Sequence, residues 1–477
     1  MKKSMSRSKD SGIVLFYLAA LLFVLLAFAG LAVDLGRAYV VKAHLSKAVD
    51  GAALAAARVI GNGQSAATTE ANKIFNTNFP NGFLGVNSVQ NPPNLTFTIA
   101  ADGSNQITVT STAVMPTTFM KVIGQPQVNV FSSGQATRRL VDISFVIDKS
   151  GSLASVWSQV QSAAVQFVSY FDQNVDRMAV TMFSANTIVT DQMRTVSRGF
   201  DKATITNHIN GLTSGGNTNS AEGIYQGWDQ LRSVTLGNQS SMRIIVFFTD
   251  GSPNTFNATF DGTGFTGTTG ALFTGDYPNF GGSSTNSPQV TGLRQSYATY
   301  ASPAEVYIPP TGNNYTSGGS GPPYQVVNTF IPWIPLMSNH TQHVSSGIPS
   351  SFVLYDPTLS GQRLLIGQSG NFYPDHVRNA NNAARNLVET IANAARADTS
   401  GDFRIRIYTL GLGVLLTQTM GSVPETGDSI LKRIANDRTS PSYNSTQLEG
   451  KYYYAADPAQ LRAAFEAVRN QILRLSQ

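Results

Sequence analysis

Cysteine is missing from all 477 residues, which removes disulfides, thiolate zinc sites, iron–sulfur clusters and Cys nucleophiles together. Charge is scarce as well: 13% of the residues are Asp, Glu, Lys or Arg, about half the share of an average soluble domain. Gly, Ser, Thr, Asn and Gln fill the gap, a polar but weakly charged composition that suits a surface outside the cytoplasm. Lys and Arg number 33 against 28 Asp and Glu, and no basic run exceeds two residues. The clustered basic footprint of a nucleic-acid binder is therefore lacking, and nucleic acid is not an expected partner. A Walker lysine motif, an HExxH helix and a GxSxG elbow are also missing. The length suits about two to three domains at ~150 residues each.

One long apolar run is present. Ile13 to Val33 carries no charge, and at ~1.5 Å per residue it covers the ~30 Å hydrocarbon core of a bilayer. Ala27-Phe28-Ala29 before Gly30 has the small-residue form of a signal-peptide cleavage site. The run is longer than a signal h-region, however, and helical character continues past the cut, so an uncleaved transmembrane helix over 13–33 is expected. Lys2, Lys3, Arg7 and Lys9 precede the span, and Arg37, Lys42 and Lys47 follow it more sparsely. That bias places the 1–12 tail in the cytoplasm and everything after Val33 outside it, as in a single-pass protein of a bacterial inner membrane.

From Asp34 the Ala- and Leu-rich, Pro-free sequence continues the helix through an extension over 34–60, with Ala53, Ala56 and Ile60 on one face. The span, Leu31-Ala32-Val33-Asp34-Leu35-Gly36-Arg37-Ala38-Tyr39 and Asp50-Gly51-Ala52-Ala53-Leu54-Ala55-Ala56-Ala57 together resemble the N-terminal segment of the TadE/TadG-like proteins of the Tad (Flp) pilus assembly system. Tyr17 stands fifth after Gly12, where a pilin precursor would place Glu, so pilin-type processing is not expected. Residues 61–139 read as a small β-rich connecting domain: a short helix from Ala66 to Phe79, strands at Leu95–Ile99 and Gln106–Thr110, and Asp102-Gly103 as a hairpin turn. No chemistry is visible there.

The head begins at Leu140. An apolar strand, Leu140 to Ile147, ends in Asp148-Lys149-Ser150-Gly151-Ser152, after which Trp157, Val160, Ala164, Phe167 and Phe171 recur at helical spacing. A strand at Met178–Phe183 follows, and a third, Ile244–Phe248, ends in Thr249-Asp250-Gly251. Alternating strands and helices predict a mainly parallel sheet covered on both faces, with ligands beyond the carboxyl ends of the strands. Asp148 and Asp250 both sit at such ends. Between them Gly215-Gly216-Asn217-Thr218-Asn219 feeds a helix carrying Ile224, Trp228 and Leu231. Two carboxylates with the hydroxyls of Ser150, Ser152 and Thr218 offer hard oxygen donors only, suited to Mg²⁺, Mn²⁺ or Ca²⁺ and not to a soft metal.

The DxSxS loop after an apolar strand, the Gly-Gly-x-Thr-Asn loop and the strand-terminal Thr-Asp-Gly together resemble the metal-ion-dependent adhesion site of von Willebrand factor type A (vWA) domains. The resemblance implies a metal held by Asp148, Ser150, Ser152, Thr218 and Asp250, with Mg²⁺ the first expectation and Mn²⁺ or Ca²⁺ possible in its place. It also accounts for a helix over Asp375–Asp398, a strand over Phe403–Val414, and a last helix capped by Asp457 with Pro458 at its first position. The fold expected is thus α/β: an N-terminal transmembrane helix, the small β-rich domain, then a Rossmann-like vWA domain over 140–475. An insertion over 252–371 interrupts it. That stretch holds six charges between Ser252 and Gly370 but many aromatics, among them Phe256, Tyr300 and Trp333. It reads as a cap or partner-binding lobe on the metal face, with a flexible surface insertion as the plainer reading. His340 and His343 lack acidic companions and read as a solvated pair.

The resemblance implies a non-enzymatic adhesion or pilus-assembly factor whose metal accepts an Asp or Glu carboxylate from a protein partner. A pilus-independent envelope scaffold or sensor and, more remotely, a metal-dependent hydrolase are the competing readings.

Overall fold

The computed structural model describes residues 10–60, 63–100, 104–260, 268–274, 290–304, 306–308, 363, 373–420 and 425–475. Its contacts divide the chain into two compact units, 1–138 and 139–476, with Gln477 grouped with the first.

In the first unit one helix, α1 (Asp10–Val59), runs unbroken from the apolar segment into the extension. No Pro interrupts it, and Ala, Leu and Val dominate its composition, so nothing in the sequence stops propagation. It is long and apolar enough to cross a membrane, with a mean hydropathy of 2.7 in its most apolar window. Val41, Leu45, Ala48, Val49, Ala52 and Ala56 are fully buried, the i, i+4, i+7 spacing of a helix with one face against a core. That face packs on helix α2 (Gln64–Asn78) and on a four-stranded antiparallel sheet. The sheet comprises β1 (Ser88–Val89), β2 (Asn94–Ile99), β3 (Asn105–Pro116) and β4 (Gln127–Arg138). Ile107, Val109, Ala113 and Met115 alternate along β3 and bury the same side. The helical extension and the β-rich segment therefore share one apolar core. The Asp102-Gly103 turn lies outside the described residues, although β2 and β3 pair antiparallel up to Ile99 opposite Asn105.

The second unit is an α/β sandwich. Its six-stranded sheet has the order β16-β13-β8-β5-β6-β7, formed by β5 (Val141–Asp148), β6 (Arg177–Phe183), β7 (Thr187–Asp191), β8 (Met242–Thr249), β13 (Ile405–Leu412) and β16 (Lys451–Ala455). All pairings are parallel except β6 with β7, an antiparallel edge strand absent from the sequence reading. Helices α3 (Trp157–Ser169) and α4 (Lys202–Gly211) and the last helix α8 (Pro458–Leu475) share one core with one face of the sheet. Helices α5 (Ser220–Arg232), α6 (Tyr373–Ala397) and α7 (Gly427–Ala435) share the other. Within β5 the faces alternate: Ile143, Phe145 and Ile147 point into the first core and Val146 into the second. Burial on both sides is why β5 and β8 read as continuous apolar runs.

The opening part of the insertion forms a second antiparallel sheet, β9 (Thr255–Phe260), β10 (Thr268–Thr274), β11 (Val290–Arg294) and β12 (Tyr307–Ile308). Phe256, Ala258 and Leu272 join the core beneath α5 and α6, so this part of the insertion is built into the domain. A short hairpin, β14 (Thr419–Met420) with β15 (Glu425–Thr426), precedes α7. His340 and His343 lie outside the described residues.

Candidate metal centre

The order of the sheet creates the site. From β5 the chain crosses to β6 on one side and later to β8 on the other, so β5 and β8 are adjacent strands at the point where the winding reverses. Such switch points open a crevice at the carboxyl ends of the strands. Asp148 ends β5, and Asp250 follows the last residue of β8. With Ile147 opposite Phe248, Thr249 comes level with Asp148 and donates its hydroxyl to Asp148 Oδ2.

The loop after β5 turns under Asp148, whose Oδ1 accepts the Ser150 N–H at 2.7 Å. Backbone bonds stitch it to the glycine loop: Gly215 N–H to Lys149 O at 2.7 Å and Gly151 N–H to Gly216 O at 2.9 Å. Gly216 has φ +84°, a conformation that residues with a Cβ rarely adopt. Lys149 is turned away and donates to Ser184 Oγ at 2.9 Å. Ser152 Oγ donates to Asp250 Oδ1 at 2.8 Å, Ser150 Oγ lies 3.2 Å from Ser152 Oγ, and Ser150 Oγ lies 3.5 Å from the same Asp250 oxygen. Asp148, Ser150, Ser152 and Asp250 thus form one connected cluster. Thr218 approaches over Gly251 and is set by a reciprocal pair: its N–H donates to Asn254 Oδ1 at 2.8 Å and its carbonyl accepts the Asn254 N–H at 3.1 Å. Asn219 caps α5 by accepting the Glu222 N–H.

Two residues of this shell carry no role in the sequence reading. Thr249 stood there as the end of a strand, yet it is the hydroxyl donor to Asp148. Asn254 lies in the insertion, and only the return of the chain after β8 brings it to Thr218. The parallel register of β5 and β8 would identify Thr249; no local pattern identifies Asn254.

The donor set suits a hard cation. An octahedral ion with oxygens at ~2.0–2.1 Å places adjacent oxygens ~2.9 Å apart, and the longer bonds to Ca²⁺ open that edge to ~3.4 Å. The oxygens of Ser150, Ser152 and Asp250 are spaced at 2.8, 3.2 and 3.5 Å, a triangle of that size. Burial pushes the Asp148 carboxyl up to about 6, against the opposing hydrogen bonds from Thr249 and Ser150. Its hydrogen-bond donors there are neutral and the Lys149 ammonium favours its ionised form, which a nearby dication would favour further. No group of three or more His, Cys, Asp or Glu side chains suited to a metal occurs among the described residues.

Residues 142–261 match the model of the von Willebrand factor type A domain, and residues 12–59 match that of the putative Flp pilus-assembly TadE/G-like family. Among solved structures, the vWF domain of the type V pili tip protein Mfa5 from Porphyromonas gingivalis is 14% identical with a TM-score of 0.39, over 72% of this chain and 98% of that one. The pilus adhesin SpaC from Lactobacillus rhamnosus GG is 14% identical with a TM-score of 0.36, over 80% of this chain and 34% of that one. A von Willebrand factor type A protein from Catenulispora acidiphila is 10% identical with a TM-score of 0.33, over 80% of this chain and 50% of that one. By its two family matches the chain joins a TadE/G-like N-terminal segment to a von Willebrand factor type A domain, the arrangement of a TadG-like protein.

Proposed function

We propose that this is a membrane-anchored protein of Tad/Flp pilus assembly or adhesion whose vWA domain holds a divalent cation and uses it to bind a protein partner. The observation that carries the reading is the convergence of Asp148, Ser150, Ser152 and Asp250 at the switch point of the sheet. When bound, the ion would supply a Lewis-acidic centre. Hydroxyl ligands neutralise it less than carboxylates do, so an Asp or Glu from a partner is the natural further ligand.

The chain's own residues hold the donors in place. Thr249 and the Ser150 N–H fix the Asp148 carboxylate, and Asn254 fixes the loop bearing Thr218. The reading assigns no catalytic step. Its anchor is α1, whose apolar segment is exposed from Val14 to Leu25; by the charge bias of the flanks, the vWA domain lies outside the cytoplasm. The match of residues 12–59 to the TadE/G-like family and the presence of a vWA domain support the pilus assignment.

Calorimetric titration of the detergent-solubilised full chain with Mg²⁺ and Mn²⁺ tests the site. Binding that disappears in the Asp148→Ala/Ser150→Ala variant is the expected result. Equal binding by both proteins would place the ion elsewhere and sink the proposal.

A further inference from the structure

The polar turn between β3 and β4 contains an apolar tip. Phe119, Val122 and Ile123 are 46%, 73% and 63% exposed, in a short 3₁₀ turn over Met120–Ile123. This tip lies against α1 below Asp34. With Phe23, Val24, Ala27, Phe28 and Leu31 of the helix it encloses an apolar groove of ≈ 540 Å³.

Three helix positions clamp it there. At Gly30 an added Cβ would sit 2.4 Å from Phe119, so the missing side chain is the notch that admits the ring. One turn on, the buried Asp34 carboxylate accepts the N–H groups of Thr118, Phe119 and Met120 at 2.8–3.2 Å. Another turn on, Arg37 donates to Thr118 Oγ1 at 3.1 Å. Further backbone groups of the turn are satisfied internally: Val122 N–H by Phe119 O, Gly124 N–H by Lys121 O and Gln125 N–H by Met120 O.

The length of α1 decides what surrounds this tip. Lys9 and Asp10 precede the apolar run and Asp34 follows it, leaving about 20 residues for the ~30 Å they must cross. If the helix from Phe23 onward stood in water beside the loop, only about a dozen apolar residues, or ~18 Å, would be left to span. The span is long enough only if the loop enters the bilayer with it. Phe28 lies six residues before Asp34, ~9 Å along the axis, which matches the ~5–10 Å depth of interfacial apolar segments. The self-satisfied backbone is what irregular structure needs at that depth.

We propose that the Phe119–Ile123 turn is a second membrane element, inserted among the acyl chains of the outer leaflet beside α1, with the ammonium of Lys121 near the headgroups. The proposal rests on α1 being a membrane anchor, and the test separates the two. Because the chain has no cysteine, Val24→Cys, Val122→Cys and Ile99→Cys each give a single labelling site. Ile99 is 78% exposed and lies at the other end of the long β3 ribbon, opposite Asn105. Each full-length variant is nitroxide-labelled and reconstituted in phosphatidylethanolamine/phosphatidylglycerol vesicles, and its collision with oxygen is compared with that of a water-soluble nickel chelate. The expected result is that Val122 behaves as Val24 does, oxygen-rich and protected from nickel, while Ile99 shows the reverse. Val122 behaving like Ile99 while Val24 stays protected overturns the insertion and leaves the anchor standing. Val24 open to nickel overturns both.

Discussion

Asp142 and Asp148 lie on one strand and are both fully buried, yet they have opposite surroundings. Asp142 faces the guanidinium groups of Arg177 at 3.2 Å and Arg198 at 3.4 Å and accepts two hydrogen bonds from Ser240. Its charge is neutralised within the fold. Asp148 has only hydroxyl and amide donors, and its carboxyl is raised to about 6 by burial. The two Asn substitutions should therefore separate. Asp142→Asn leaves the buried Arg177 and the half-buried Arg198 without this carboxylate and should destabilise the domain by about 3–5 kcal/mol, the usual cost of breaking a buried ion pair, read as a fall in the denaturant midpoint. Asp148→Asn removes a carboxylate that burial disfavours and that only the Lys149 charge favours, so the midpoint should fall far less than in Asp142→Asn while the stabilisation added by millimolar Mg²⁺ vanishes. Equal losses of midpoint in both variants would contradict this assignment of roles.

At the scale of the element, legibility followed burial. β5 and β8 are enclosed on both faces and read as apolar runs, and the Asp457 cap is where the sequence placed it, accepting the N–H groups of Ala459 and Gln460. β7 and α4 escaped notice because Thr187–Asp191 is a half-buried edge strand and Lys202–Gly211 buries only Ile205 and Ile209. That Asp148, Ser150, Ser152 and Asp250 meet at the carboxyl edge of the sheet was legible because a strand end followed by a polar loop is a local pattern. Asn254 was not, because its partner Thr218 is distant in sequence. Asp34 reads locally as the residue that ends an apolar span; its work as an acceptor for three N–H groups depends on the remote segment that folds back to it. Asp34→Ala should leave those donors without their acceptor, at roughly 1–3 kcal/mol each where they are buried. Amide exchange over 118–123 should then accelerate by at least tenfold while exchange in β3 is unchanged. A Gly30→Val substitution, which displaces Phe119 by volume alone, should give the same local signature.

For the whole molecule, the cores of residues 1–138 and 139–476 are separate clusters of side chains. Calorimetric unfolding of the full chain should show two transitions, of which only that of the vWA unit rises on addition of Mg²⁺. A single transition, or a shift of both, would argue against independent units. The vWA unit is further tied by a buried charge cluster. Glu425 of β15 meets Arg363 at 2.7 Å, Arg433 at 2.5 Å and Arg385 at 3.7 Å, and Glu389 of α6 contacts Arg363 and Arg433. Arg363 belongs to the insertion, so this cluster fastens its far end to the domain. Glu425→Gln should lower the upper or lower transition that responds to Mg²⁺ and leave the other in place.

The path of the backbone through β5 has a mechanical consequence. In the proposed anchored arrangement, the chain coming from α1 enters β5 at Val141, and the proposed attachment point for a partner is at Asp148, the other end of the same strand. A pull between cell and partner would therefore load β5 along its length. Its bonds to β6 and β8 flank it on both sides and would be strained in shear, all sharing the tension at once. A tether arranged in this way resists being peeled open rung by rung.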